Sequence, residues 1–93
     1  MAAFMVMCTF RDGTDMQEVH GVVAEEQARV AELTAEGRLG GVHLSLARGT
    51  VFLEVTADGA DAAATTVRTL PMAQWWDLDV FPLGAPGAPE GAA

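Results

Sequence analysis

Between Met16 and Gly37, apolar residues recur at Met16, Val19, Val23, Val30 and Leu33. That is the spacing of one helical face, and it predicts a single long amphipathic helix lying on a sheet. Glu26 falls on the same stripe, whereas Glu18, Glu25, Glu32 and Glu36 fall on the far side. A carboxylate aimed at an apolar layer must reach an edge, find a donor or a cation such as Arg29, or hold its proton to a higher pH than usual. The last state suits a general base.

The flanking pattern has period two. Ala3 to Phe10 is a continuous apolar run, expected to be a strand covered on both faces. The turn Arg11-Asp12-Gly13-Thr14-Asp15 follows, with Thr14 or Asp15 as the helix N-cap and Gly37 as the glycine that ends the helix. From Leu39, Val42, Leu44 and Leu46 point one way while Gly41, His43 and Ser45 point the other. After the turn Ala47-Arg48-Gly49, Thr50 to Thr56 sets Val51, Leu53 and Val55 against Phe52 and Glu54, so these two strands read as a hairpin. Asp58 or Asp61 is expected to cap a shorter helix with Ala60, Ala63, Ala64, Val67 and Leu70 inward, ended by Leu70-Pro71. Trp75 to Leu83 reads as the last strand, with Trp76, Leu78 and Val80 on one face and Trp75, Asp77, Asp79 and Phe81 on the other.

The order strand, helix, strand, strand, helix, strand predicts an α+β, ferredoxin-like βαββαβ domain: an antiparallel four-stranded sheet with two helices on one face. Residues 1–83 form that domain, and 84–93 are a Gly/Ala/Pro-rich tail, disordered or lying on a neighbour. The uncovered sheet face would carry Phe52, Phe81, Trp75 and the methionines of the first strand. So apolar a face predicts a second copy packed against it.

A chain of 93 residues, 51% hydrophobic, supports one domain. A formal net charge of −8 with five Lys plus Arg argues strongly against nucleic acid or an anionic membrane surface as partner. A small molecule or another copy of the chain fits better. Cys8 is the single cysteine, so no internal disulfide forms, and the first ten residues are too short to span a bilayer and have no basic leader region. The expectation is a cytoplasmic protein.

Candidate chemistry is sparse. There is no dinucleotide fingerprint or P-loop, and His20 and His43 lie on different elements without a companion cysteine, so no metal or cofactor is expected. Ser45, His43 and Asp77 do not make a triad, because nothing supplies a nucleophile elbow. His43 faces the same way as Glu54, at an edge or interface, and His20 flanks the apolar stripe where it could line a pocket mouth. Trp75 and Trp76 could stack on a ligand, although alternation also accounts for them as one interface and one core residue. Cys8 and the five methionines read as packing.

With these elements in place, the chain resembles the muconolactone isomerase-like proteins, within the dimeric α+β barrels. The resemblance covers Ala3 to Gly84. It rests on Phe4-Met5-Val6-Met7-Cys8-Thr9, on Glu25-Glu26 followed by Leu33 and Glu36-Gly37, on Phe52-Leu53-Glu54-Val55, and above all on Leu70-Pro71-Met72 leading through Trp75-Trp76 to Asp77-Leu78-Asp79-Val80. It implies a cofactor-free enzyme that shifts a double bond in a small lactone, with Glu26 matching an acidic position of the family's first helix. Met5, Met7 and Leu39-Gly40-Gly41-Val42 stand where the family carries polar, basic or aromatic side chains, which favours a larger, more neutral substrate.

The resulting expectation is a homodimeric isomerase or cyclase acting on a hydrophobic enolisable metabolite, in bacterial catabolism or specialised metabolism. Glu26 would move the proton, His43 or His20 would serve as second acid or base, and Phe4, Val6, Leu44, Trp75 and Trp76 would line the pocket. A cofactor-free monooxygenase of the antibiotic-biosynthesis type and a non-catalytic dimeric binding protein are the alternatives.

Overall fold

The first strand, β1 (Ala2–Phe10), alternates Phe4, Val6 and Cys8 with Ala3, Met5 and Met7, and only the first set is buried. In the computed structural model, which describes residues 1–84, β1 lies inside a four-stranded sheet of order β2-β3-β1-β4. Here β2 is Leu39–Ser45, β3 is Thr50–Ala57 and β4 is Trp76–Pro82, and every neighbouring pair is antiparallel. Val6 stands between Leu53 and Val80, and Cys8 between Val51 and Leu78, so the inward rows line up across the sheet. Three helices cover this one side: α1 (Met16–Gly21), α2 (Val23–Ala35) and α3 (Ala60–Arg68). Val6, Cys8, Leu33, Leu53, Val55 and Val67 are the most completely buried side chains between the layers. This is the ferredoxin-like α+β arrangement that the element order implied. β1 is covered on the helix side; Met5 and Met7 face the other way and stay half-buried.

The long helix is interrupted. Its expected single run breaks at Val22, whose N–H bonds back to Val19 while its carbonyl accepts from Glu26 and starts α2. Gly21 followed by two β-branched valines has low helix propensity, and packing then decides where the chain bends. The bend puts Val19 in the core but leaves Met16 exposed, so the buried stripe belongs to Val19 and α2. The ends follow the expected chemistry: Asp15 accepts from the Gln17 N–H at 2.9 Å. At the other end Gly37, at φ 74°, closes a Schellman motif in which Arg38 and Gly37 donate to Leu33 and Thr34.

Four further expectations are corrected. Leu46 does not extend β2; it opens a 3-10 turn, Leu46–Arg48, closed by the left-handed Gly49. The N-cap of α3 is Gly59, with neither Asp58 nor Asp61 capping, because the first helical bond is already made from Ala63 to the Gly59 carbonyl. Ala60, in that first turn, is exposed. Trp75 is not a strand residue, since Pro71–Trp75 forms a second 3-10 turn before β4 begins. Proline sets the φ of that turn, and the Arg11 guanidinium ties down its exit by donating to the carbonyls of Gln74 and Trp76. The tail expected over 84–93 lies, beyond Gly84, outside the described residues. Among the described residues no helix is long and apolar enough to cross a membrane.

Candidate functional site

Glu26 sits in the first turn of α2, on the side that meets the 3-10 turn Pro71–Trp75. Pro71 has no N–H, and the Met72 N–H that follows is one of the orphan donors at the start of a turn. Glu26 Oε1 accepts it at 2.9 Å, across 46 residues of sequence. Glu26 Oε2 makes no hydrogen bond among the described residues. The expected alternative partner, Arg29, is engaged elsewhere: it donates to Thr69 Oγ1 at 3.1 Å and lies 3.7 Å from Glu32. No cation among the described residues lies within ion-pair reach of Glu26.

This environment favours the protonated acid. Half-burial pushes the Glu26 carboxyl above the ordinary glutamate range, and the Met72 N–H, which stabilises the anion, offsets only part of that. Cys8 lies beneath, fully enclosed on the inward face of β1. Burial first, and the Glu26 charge second, push its thiol up to about 12. A neutral thiol and a carboxyl that is reluctant to ionise are thus close enough for the charge of one to act on the other.

The other candidate side chains are scattered. His43 lies on β2, opposite Phe52, on the sheet face away from Glu26, and its Nε2 meets Glu54 Oε2 at 3.0 Å. Gly41 makes that pair possible, because a Cβ there would collide with the Glu54 carboxylate. His20, in the last turn of α1, is exposed. One chain therefore does not bring His43 to Glu26. Phe4 and Val6 are sealed in the core, whereas Leu44, on the helix-side face of the edge strand β2, is 63% exposed. Trp75 is half-buried in the 3-10 turn. Trp76 is 4% exposed and packs edge-on against Phe10, with ring centroids 5.9 Å apart.

Two features escaped the sequence. One is the Met72 N–H, for which a Leu-Pro-Met segment after a helix was the available signal: the residue behind such a proline has a free donor. The other is a cleft of about 740 Å³ beside the 3-10 turn, lined by Arg68, Leu70, Pro71, Gln74, Trp76 and Leu78 among others. Glu26 does not line it. No group of three His, Cys, Asp or Glu among the described residues could hold a metal ion.

The fold is thus a small ferredoxin-like α+β domain whose helix layer holds one desolvated carboxyl. The sequence model of the muconolactone delta-isomerase family matches residues 3–87, and the chain belongs to that family. Membership supports an isomerase-like function on a small molecule in the general sense. No curated protein matches the chain.

Proposed function

We propose that the protein is a homodimeric, cofactor-independent isomerase or cyclase. It moves a proton and a double bond in a hydrophobic, enolisable small molecule, such as a lactone or an aromatic polyketide-like compound. The observation that carries this reading is Glu26: half-buried, without a cation, with one oxygen held by a backbone donor and the other without a partner. A raised carboxyl pKa brings proton affinity closer to that of a carbon acid, which makes the same group able both to take a proton and to return it. In an unsaturated lactone such as a but-2-en-4-olide, Glu26 removes the proton at C4. The electron pair runs through the ring to the exocyclic oxygen, and reprotonation at C2 leaves the double bond between C3 and C4.

The uncovered sheet face supports pairing with a second copy. Met5, Met7 and Phe52 form a half-buried patch there, and Phe81 beside Met5 is 45% exposed. His43 of one copy would then be a residue of the interface.

The test is exchange of ring protons with solvent deuterium in but-2-en-4-olides bearing alkyl or aryl groups, followed by proton NMR. Glu26→Gln lowers exchange and isomerisation by about 10²–10⁴-fold while leaving the circular dichroism spectrum intact. Undiminished turnover in that variant overturns the role of Glu26. The separation between Glu26 and the larger cleft favours one second reading, a small-molecule binding protein without catalysis. It is distinguished by ligand binding in the wild type with no deuterium wash-in.

A further inference from the structure

Arg11, just past the end of β1, is bonded at several points to the connection that serves Glu26. Its backbone N–H donates to the Trp75 carbonyl at 2.9 Å. Its Nη1 donates to the Trp76 carbonyl at 2.7 Å and meets Asp77 Oδ1 at 3.3 Å, while Nη2 donates to the Gln74 carbonyl. Three successive carbonyls at the exit of the 3-10 turn Pro71–Trp75 thus end on one residue. The entry is fixed by Leu70, which is buried and whose carbonyl accepts the Ala73 N–H at 3.0 Å. Gln74 Nε2 braces the turn by donating to the Pro71 carbonyl at 2.9 Å. Met72 lies between these anchors, and its N–H goes to Glu26 Oε1.

A 3-10 turn has poorer hydrogen-bond geometry than an α-helix, so its shape depends on what holds its ends. A guanidinium suits this exit, because its planar fork presents donors at fixed angles, whereas an ammonium is a compact point charge. The Arg11 side chain is 49% exposed and that of Asp77 is 74% exposed, so water screens the charge of the pair. What Arg11 passes on to Glu26 is therefore geometry rather than field.

We propose that Arg11 is a positioning residue for the proton carrier: by clamping the carbonyls of Gln74 and Trp76, it keeps the Met72 N–H on Glu26 Oε1. This rests on the role proposed for Glu26. The Met72 donor favours the Glu26 anion against burial, so a turn that drifts leaves a smaller fraction of Glu26 ionised at a given pH. The same bond decides which oxygen is left to take a proton, namely Oε2. Other charged groups do not compete for this role. The 3-10 turn carries no ionisable side chain, Cys8 on β1 stays neutral, Arg29 on α2 is engaged by Thr69 and Glu32, and His43 on β2 faces the open side.

The test compares wild type with Arg11→Lys, which keeps the charge and loses the fork, and with Arg11→Gln, which loses both. The Glu26 carboxyl carbon, assigned by its disappearance in Glu26→Gln, is followed by ¹³C NMR against pH. Its titration midpoint is expected to lie higher than in wild type in both variants, and by a similar amount. With a but-2-en-4-olide as substrate, kcat/KM on the acid limb should fall about tenfold, the loss of one hydrogen bond to a charged group, while the plateau at high pH stays within a few-fold. An unmoved midpoint and limb in Arg11→Lys overturn the inference, even beside a loss of stability in urea, because a merely structural residue gives that result. Wild type supplies a check that no folding defect disturbs: hydrogen exchange at the Met72 amide is expected to be slowed, and exchange as fast as in an exposed loop overturns the inference. The two proposals fail separately. A raised midpoint in the variants of a protein that turns over no lactone removes the isomerase and keeps the positioning role. An inactive Glu26→Gln protein beside an unmoved Arg11→Lys limb removes only Arg11.

Discussion

Glu26, on the helix-covered side of the sheet, and Glu54, on its open face, live in different chemistry. Glu26 lies under the helix layer with a single backbone donor, and loss of water raises its pKa. Glu54 points from β3 to the open side, where it meets His43 and both side chains are about half exposed. An exposed pair of this kind contributes about 0–1 kcal/mol. Residue type is the same; what differs is whether water can solvate the charge, so only the first acid is poised to carry a proton.

Four experiments sharpen or break this contrast. The largest effect is on the thiol behind Glu26. A Cys8 pKa raised from 9.0 to about 12 leaves about a thousandfold less thiolate near neutral pH. Alkylation by iodoacetamide should accordingly be at least that much slower in the folded protein than in urea. Comparable rates in the two states would mean that water and reagent reach the thiol in the folded protein.

Next come neighbouring residues on opposite faces. Leu53→Ala, at a side chain 1% exposed, should cost about 2–5 kcal/mol in urea denaturation at any protein concentration. Phe52→Ala should cost less, and its effect should depend on concentration if the open face meets a second copy. Equal, concentration-independent losses would break the distinction between the faces.

The third concerns pH. Glu26 has a higher pKa folded than unfolded, so the folded state binds more protons between the two values. Stability therefore falls as pH rises from the ordinary glutamate value through the raised one, and levels off above it. Ionisation also creates the base, so kcat/KM should climb over that same window. Glu26→Gln should remove this slope in stability and be more stable than wild type at neutral pH, by less than the Leu53 effect because the site is only half-buried. A wild-type stability that rises across the window would contradict the burial argument.

The smallest effect belongs to the open face. Gly41→Ala pushes the Glu54 carboxylate away from His43. It should cost less than about 1 kcal/mol, since both groups can turn into water.

Much of the fold was readable from local pattern. Alternation at Val51, Leu53 and Val55 gave β3 its faces, Gly37 marked the end of α2, and Glu26 stood out on a stripe of valines. The break at Val22 is not legible, because the stripe continues across it with nearly correct phase and only the direction of packing shows the bend. Alternation runs through Trp75, so period two alone places it in the last strand. The bonds from Arg11 that shape its 3-10 turn come from more than 60 residues away. His43, expected as a second acid or base beside Glu26, faces the other side of the sheet. Alternation told that His43 and Glu54 share a face, but which face the helices cover is settled by how they cross the strands.

By itself, then, the sequence determined the elements, their order and the presence of an acid in an apolar stripe, because period and propensity act over a few neighbouring residues. Tertiary structure alone decided what surrounds that acid: the Met72 N–H on Oε1 and a Cys8 thiol close enough to feel its charge. Solvation and hydrogen bonding depend on groups brought together from distant parts of the chain, and no local pattern contains them.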